Sequence, residues 1–202
     1  MRHLNLACIA FATLVFNGGL ATAGESTSAD PHAAHRKMMR EPTTSVKLVD
    51  YQIPNVDLVD ASGRSTNLQE LLSADKPVVV NFIFTTCTTI CPVITATTLQ
   101  LQRQLVDDAV QPAYISISID PDYDSSAVLK EYAEAYGADW TFLTGSPADV
   151  HAALQAFNAY YGNKVNHFAL TLMHTGKSAQ WTRVEGLTSA QELADIWRSA
   201  SL

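Results

Sequence analysis

At 202 residues, with 47% hydrophobic and 16% charged residues, the chain has enough apolar material for one ordinary globular core and no self-similar period of a repeat array. Its formal net charge of −7 argues against a nucleic-acid partner, because no basic stripe is available to neutralise phosphates.

The first segment, MRHLNLACIAFATLVFNGGLATAG, places Arg2 ahead of an apolar run from Leu4 to Phe16, then a polar break and an Ala21-Thr22-Ala23 cleavage pattern. It reads as a signal peptide over 1–23, with an apolar run shorter than the ~20 residues that cross a bilayer, so a retained anchor is the weaker reading. Cys8 leaves with this segment. The mature chain then holds only Cys87 and Cys91, in an exported compartment where disulfides are allowed.

Residues 24–44 are rich in Ser, Thr, Ala, His and Pro without apolar periodicity and read as a flexible leader. The folded domain is expected over 45–202. Short strands at Val46 to Val49, Val56 to Val59 and Arg64 to Asn67, with turn residues at Asp60 to Gly63, predict an N-terminal β-hairpin. Leu68 to Leu72 is a short helix candidate. Val78 to Phe84 is an apolar, β-branched run expected as a buried central strand.

A helix is expected from Cys91 to about Val106, with Pro92 in its first turn and Val93, Leu99, Leu101 and Leu105 on its core stripe. Ala113 to Ile119 alternates as a strand and ends at Asp120-Pro121. Ser125 and Ser126 are candidate caps of a helix that stops at Gly137. Trp140 to Thr144 reads as a strand, Pro147 to Tyr160 as a helix, and His167 to His174 as a strand that turns at Thr175-Gly176-Lys177 into Ser178 to Val184. Thr188 to Ser199 is the last helix. This order predicts a thioredoxin-like α/β three-layer sandwich with an N-terminal β-hairpin and a late hairpin insertion.

The cysteines fall where the central strand meets its helix. A bridge between Cys87 and Cys91 closes a very small loop and restrains the unfolded chain little, so the pair reads as functional rather than structural. Cys91, at the helix start, is expected to feel the positive end of the helix dipole and to be the stabilised thiolate. Two sulfurs on one edge can oxidise together or hold a soft ion. Thiolates favour Cu(I), and a nearby imidazole completes a site that also tolerates Cu(II).

FTTCTTICPVIT resembles the cysteine loop of the Sco/SenC copper proteins, and ISISIDPDYDSSAVLKEYAEAYGADWTFLTG resembles the strand, Asp-Pro turn, helix and Trp-containing strand that follow it in that family. The resemblance covers roughly residues 49–197. It implies a thioredoxin-like domain that binds copper through Cys87, Cys91 and a distant histidine, matched here by His167. The family usually has Asp before this histidine and an Asp-Pro-x-Gly turn after it, whereas here Asn166 precedes it and His174-Thr175-Gly176 occupies the turn. Loss of the acidic neighbour lowers the expected affinity for Cu(II) without removing a ligand.

His174 is the alternative ligand, although an odd offset from His167 puts the two on opposite faces of a regular strand. His151 is expected to be solvated, and Asp120 and Asp124 to cap the following helix and order its loop. His32, His35, Met38 and Met39 in the leader have copper-binding side chains and read either as a transfer arm or as an ordinary polar tail, the tail being favoured on composition.

The resemblance implies a periplasmic copper chaperone that prepares the dinuclear copper centre of a respiratory oxidase, in peripheral contact with a membrane protein. The recipient is an oxidase subunit or another periplasmic copper protein. The alternatives are a thiol-disulfide oxidoreductase using Cys87 and Cys91 as its redox pair, and a copper or redox sensor. A peroxidase is the weakest reading, because the cysteine loop carries threonines but no activating Arg.

Overall fold

The computed structural model describes residues 44–73, 75–160 and 162–202. Residues 1–43, for which the sequence predicts a signal peptide and most of a leader, lie outside the described residues, His32, His35, Met38 and Met39 among them. Eight strands form one mixed sheet: β1 (Ser45–Val49), β2 (Asp57–Asp60), β3 (Ser65–Asn67), β4 (Val78–Ile83), β5 (Ala113–Ser118), β6 (Thr141–Thr144), β7 (Leu170–His174) and β8 (Trp181–Glu185). Their spatial order is β1-β8-β7-β4-β5-β6-β2-β3. β4 runs parallel to β5 and β5 to β6, while β7 lies antiparallel to β4 and β8.

Every residue of β4 is buried, which is why its sequence, VVVNFI, is nearly continuous in apolar residues rather than alternating. On one face Val78, Val80 and Phe82 pack with Ile115 and Leu172 against Leu68 of α1 (Leu68–Leu71) and Val150 and Leu154 of α4 (Pro147–Ala156). On the other, Val79, Met173 and Val184 meet Leu101 of α2 (Ile90–Gln104) and Leu193 and Trp197 of α5 (Ala190–Ala200). Ile83 and Phe142 pack against Leu129 and Ala133 of α3 (Ser126–Tyr136), in one cluster with Cys87 and Cys91. The two-residue period of the strands thus separates two helical layers about the sheet. Trp197 is fully buried and donates its indole N–H to the Val110 carbonyl at 3.1 Å. Burial of a side chain this size contributes roughly 3 kcal/mol.

Ser125 accepts the Val128 N–H at the start of α3, and Gly137 closes that helix with φ 63, as the sequence predicts; a serine cap of this kind is worth about 1 kcal/mol. Among the described residues no helix is long and apolar enough to cross a membrane.

Four elements differ from the sequence expectation. The hairpin is β2 with β3, turned by the Asp60 carboxylate, which accepts the N–H groups of Ser62 (2.8 Å) and Arg64 (3.0 Å). β1 takes no part in it and pairs with β8, Val46 opposite Val184. The segment after β1 lays Tyr51 between Phe157 and Trp181, with ring centroids at 5.3 and 6.1 Å; strand propensity alone does not name a partner.

The second difference is α4, which stops at Ala156 rather than Tyr160. The buried Arg183 guanidinium takes the Phe157 and Asn158 carbonyls at 2.7 and 3.2 Å, ending the helix there. Third, His167 is not in β7. The Asn163 side chain accepts the Val165 N–H at 3.0 Å and folds Lys164–Asn166 into a 3₁₀ turn, with His167 as its extended C-cap. Finally, the strand that returns from the late hairpin starts at Trp181, three residues after Ser178. In the turn between, Gly176 has φ 74, and a Cβ there would lie 2.9 Å from the Asp75 carbonyl oxygen, so conformation and space both call for glycine.

Candidate functional site

The loop from Phe84 to Thr89 carries Cys87 and leads into α2, whose first turn carries Cys91. Thr89 is the N-cap of α2 by position, yet its side chain makes no capping bond. The orphan Cys91 N–H of the first turn donates instead to Cys87 Sγ at 3.4 Å, and the Thr89 hydroxyl lies 3.6 Å from the same sulfur. A sulfur therefore occupies the place that a serine or aspartate oxygen usually fills.

This arrangement divides the thiols. Burial raises the Cys87 pKa, but the N–H groups of Cys91 and Thr89, the Cys91 thiol and the Thr89 hydroxyl outweigh it and bring the thiol from 9.0 to about 7. Cys91 is fully buried beside Ile83, Ile94, Leu129 and Phe142. Burial pushes its thiol far above the ordinary range; a backbone hydrogen bond from Phe84 opposes this, and the nearby Cys87 and Asp124 charges add to it. The expectation that Cys91 is the stabilised thiolate is corrected. The helix start acts on the Cys87 sulfur, while the Cys91 side chain turns into the core.

Asp124 fixes the root of the loop. Its buried carboxylate accepts the Thr85 N–H (3.2 Å), the Thr85 hydroxyl and the Ser118 hydroxyl. Burial raises its pKa, opposed by those hydrogen bonds. Neither Asp124 nor Asp120 caps α3, since Ser125 does so, which corrects the expected capping role; the expected ordering of the loop is what both residues provide. Asp120 accepts the Tyr123 and Asp124 N–H groups on its carbonyl and forms an ion pair with Lys164 at 2.5 Å.

His167 lies at the wall of an open hollow of about 280 Å³ that it shares with Cys87, Phe84, Thr86, Lys164 and Val165. The imidazole is buried, meets Phe84 edge-on at 5.7 Å, and places Nε2 3.1 Å from the Phe82 carbonyl. Desolvation lowers its pKa against the effect of that carbonyl, which favours the neutral ring that ligates metals. The site thus brings Cys87 and His167 to one hollow, with Cys91 directly beneath Cys87. Both thiols are free, and among the described residues no three His, Cys, Asp or Glu side chains are yet in metal-holding geometry.

His174 is not brought to the cysteines. It stands at the other end of β7, where Nε2 donates to the Ser178 carbonyl (2.6 Å), Nδ1 accepts from the Gly176 N–H (3.3 Å) and the ring lies 4.9 Å from Trp181. The alternative ligand is therefore a turn-holding residue. His151 is half-buried against Tyr160, ring centroids 4.3 Å apart, rather than solvated. Phe84 and Lys164 went unmarked in the sequence reading. Phe84 looked like the last apolar residue of a strand, and no spacing rule ties a lysine in a turn to a histidine three residues later.

The family model SCO1/SenC matches residues 50–200. The SCO1 protein homologue of Bacillus subtilis is 33% identical over 116 residues, 55% of this chain and 59% of the relative. Protein SenC of Rhodobacter capsulatus is 26% identical over 104 residues, 52% of this chain and 46% of the relative. The chain thus spans about half the length of the curated relatives it matches. Among solved structures, BsSco, described as having a disulfide switch and as a member of the Sco family of cytochrome c oxidase assembly proteins, superposes with TM-score 0.63 at 27% identity, covering 77% of this chain and 96% of that one. Yeast Sco1 with copper bound shares the fold at TM-score 0.63 and 22% identity, over 74% of this chain and 87% of that one.

Proposed function

The chain belongs to the SCO1/SenC family, and from that premise we propose that it is a periplasmic copper-binding assembly factor for the dinuclear copper centre of a respiratory oxidase. The observation that carries the reading is one hollow walled by Cys87 and by the buried His167, with Cys91 behind them and its N–H on Cys87 Sγ. Cu(I) is the favoured cargo for two soft sulfurs and one imidazole, and Cu(II) is tolerated less well. Handover proceeds by ligand exchange. Partner thiolates replace Cys87, Cys91 and His167 one at a time while the ion changes neither charge nor oxidation state. The recipient is an oxidase subunit or another periplasmic copper protein, met at the membrane surface.

The test is anaerobic Cu(I) titration of the reduced protein. One equivalent should bind tightly, and Cys87→Ala, Cys91→Ala and His167→Ala should each remove tight binding. Unchanged binding in all three variants excludes the site.

The inequality of the thiols favours a second reading, a thiol-disulfide oxidoreductase. The Cys87 thiolate attacks a partner disulfide and forms a mixed disulfide, expelling one partner thiolate, which takes up the Cys91 proton. The Cys91 sulfur then attacks Cys87 Sγ, breaks the bond to the partner and expels the second partner thiolate, leaving the chain oxidised and the partner reduced by two electrons. Metal-free reduction of a protein disulfide, lost in Cys87→Ala, is the expected result. Inertness of the metal-free dithiol removes this reading and leaves copper.

A further inference from the structure

Lys164 joins two parts of the site that are distant in sequence. Its ammonium meets Asp120, in the turn that follows β5, with Nζ 2.5 Å from the carboxylate. The same ammonium stands 5.7 Å from the centre of the Phe84 ring, and that ring meets His167 edge-on at 5.7 Å. Lys164 also opens the 3₁₀ turn, and its carbonyl accepts the His167 N–H at 3.2 Å. Within the turn the bonds are local: Asn163 accepts from Val165 on its side chain and from Asn166 on its carbonyl, each at 3.0 Å. Val165 is 74% exposed. The front of this small turn is therefore held to the body of the domain through the lysine, while its far end is held by the His167 ring, whose Nε2 lies 3.1 Å from the Phe82 carbonyl.

We propose that the Lys164–Asp120 ion pair is a positioning latch, holding the turn Lys164–Asn166 against the loop after β5 so that His167 stays at the wall of the Cys87 hollow and within reach of a copper ion on the thiolates. The inference rests on copper binding by Cys87, Cys91 and His167. A ligand on a short exposed turn contributes affinity only in proportion to the time the turn is in place. The carboxylate side of the pair is 11% exposed and the lysine side 41%, so the pair is neither fully screened nor deeply desolvated. A mechanical latch and a simple charge effect predict different signs. Removing Lys164 takes a cation away from two thiolates and removing Asp120 takes an anion away, so a charge effect moves copper affinity in opposite directions. Opening a latch weakens binding in both cases.

The experiment measures Cu(I) affinity of the full chain under anaerobic competition with a chromogenic chelator. Lys164→Met and Asp120→Asn should each weaken binding by about tenfold, the lower end of what outer-sphere supports of metal ligands deliver. Lys164→Arg, which keeps the ion pair, should stay within about twofold of the unsubstituted chain. In a His167→Ala background neither Lys164→Met nor Asp120→Asn should weaken binding further, because the latch acts through the histidine. Opposite shifts in the two variants, no shift in either, or a full effect persisting without His167 would overturn the proposal.

A copper-free measurement separates this inference from the copper reading. Deuterium uptake at the amides of 165–168 should rise about tenfold in Lys164→Met and Asp120→Asn, with uptake elsewhere unchanged and thermal unfolding still cooperative. Unchanged uptake at 165–168 overturns the latch even where copper binds. Faster uptake with no copper binding by the unsubstituted chain removes the copper reading and the latch's role in it.

Discussion

A buried histidine stands on either side of β7, His174 as its last residue and His167 at the end of the 3₁₀ turn that precedes it, and the two are built in different ways. At His174 the backbone of one hairpin turn uses both ring nitrogens, through Ser178 and Gly176, and Trp181 covers the ring. At His167 the ring stands beside a hollow that also holds a thiol, on a turn held to the sheet by side chains: Lys164 to Asp120 and the imidazole itself to Phe82. Depth is therefore a poor guide to function for imidazoles. What a histidine can do is set by whether its nitrogens are committed to a turn or placed beside other donors.

The largest expected effect tests this contrast directly. His167→Ala should weaken Cu(I) binding by about a hundredfold or more, because removal of one of three ligands exceeds any supporting contact, and should also lower unfolding free energy by about 1–2 kcal/mol through the lost Phe84 contact and the unpaired Phe82 carbonyl. His174→Ala should leave copper affinity within about twofold but lower unfolding free energy by roughly 2 kcal/mol, through the lost ring packing and the unpaired Ser178 and Gly176 groups. Equal copper effects at both positions would erase the distinction.

A second test concerns the anchors at the cysteine end. Asp124→Ala leaves the Thr85 N–H and two hydroxyls without their buried acceptor, and should cost about 2–3 kcal/mol in chemical denaturation. A loss below about 0.5 kcal/mol would mean that the loop is held from elsewhere.

The thiols sharpen the comparison further through pH. Alkylation of Cys87 should reach half its limiting rate near pH 7, with Cys91 unmodified across the same range. Because the Cys87 value is depressed from 9.0 to about 7, its thiolate stabilises the fold fully above pH 9, and that contribution fades as pH falls through 7. The stability lost in Cys87→Ala should thus be greater at pH 9 than at pH 6. The reverse order in denaturant titrations would contradict the assignment.

The smallest effect lies at the cap. Thr89→Ala should change stability by less than about 0.5 kcal/mol, since its side chain makes no capping bond, whereas Ser125→Ala at α3 should cost about 1 kcal/mol. A larger loss at Thr89 would return the capping role from the sulfur to the hydroxyl.

Much of the frame was legible in the sequence alone. VVVNFI announced a strand covered on both faces, Ser125 and Gly137 bounded α3, and two cysteines with a proline marked a strand-to-helix junction. The pairing of β1 was not legible, because residues 45–49 declare a strand but not which of two sheet edges receives it. Nor was the position of His167: one Asn163 side-chain bond diverts the chain from the ladder, and periodicity does not see such a bond. The order of the thiols was inverted for a related reason. The dipole argument concerns the first turn, but side-chain direction decides which sulfur lies at its mouth, and burial then outweighs the dipole for the other. Asp124 was marked for the right loop but the wrong partner, since a contact with Thr85, 39 residues away, is invisible to local capping rules.

The sulfur that closes the first turn of α2 ties helix integrity to chemical state. When Cys87 is metallated, alkylated or joined in a disulfide, its lone pairs are redistributed, and the Cys91 amide that leans on it must find another acceptor or face solvent. That single amide is a built-in reporter. Its proton chemical shift and exchange lifetime read the occupancy of the sulfur from within the backbone, so the start of one helix registers each change at the site without an added label.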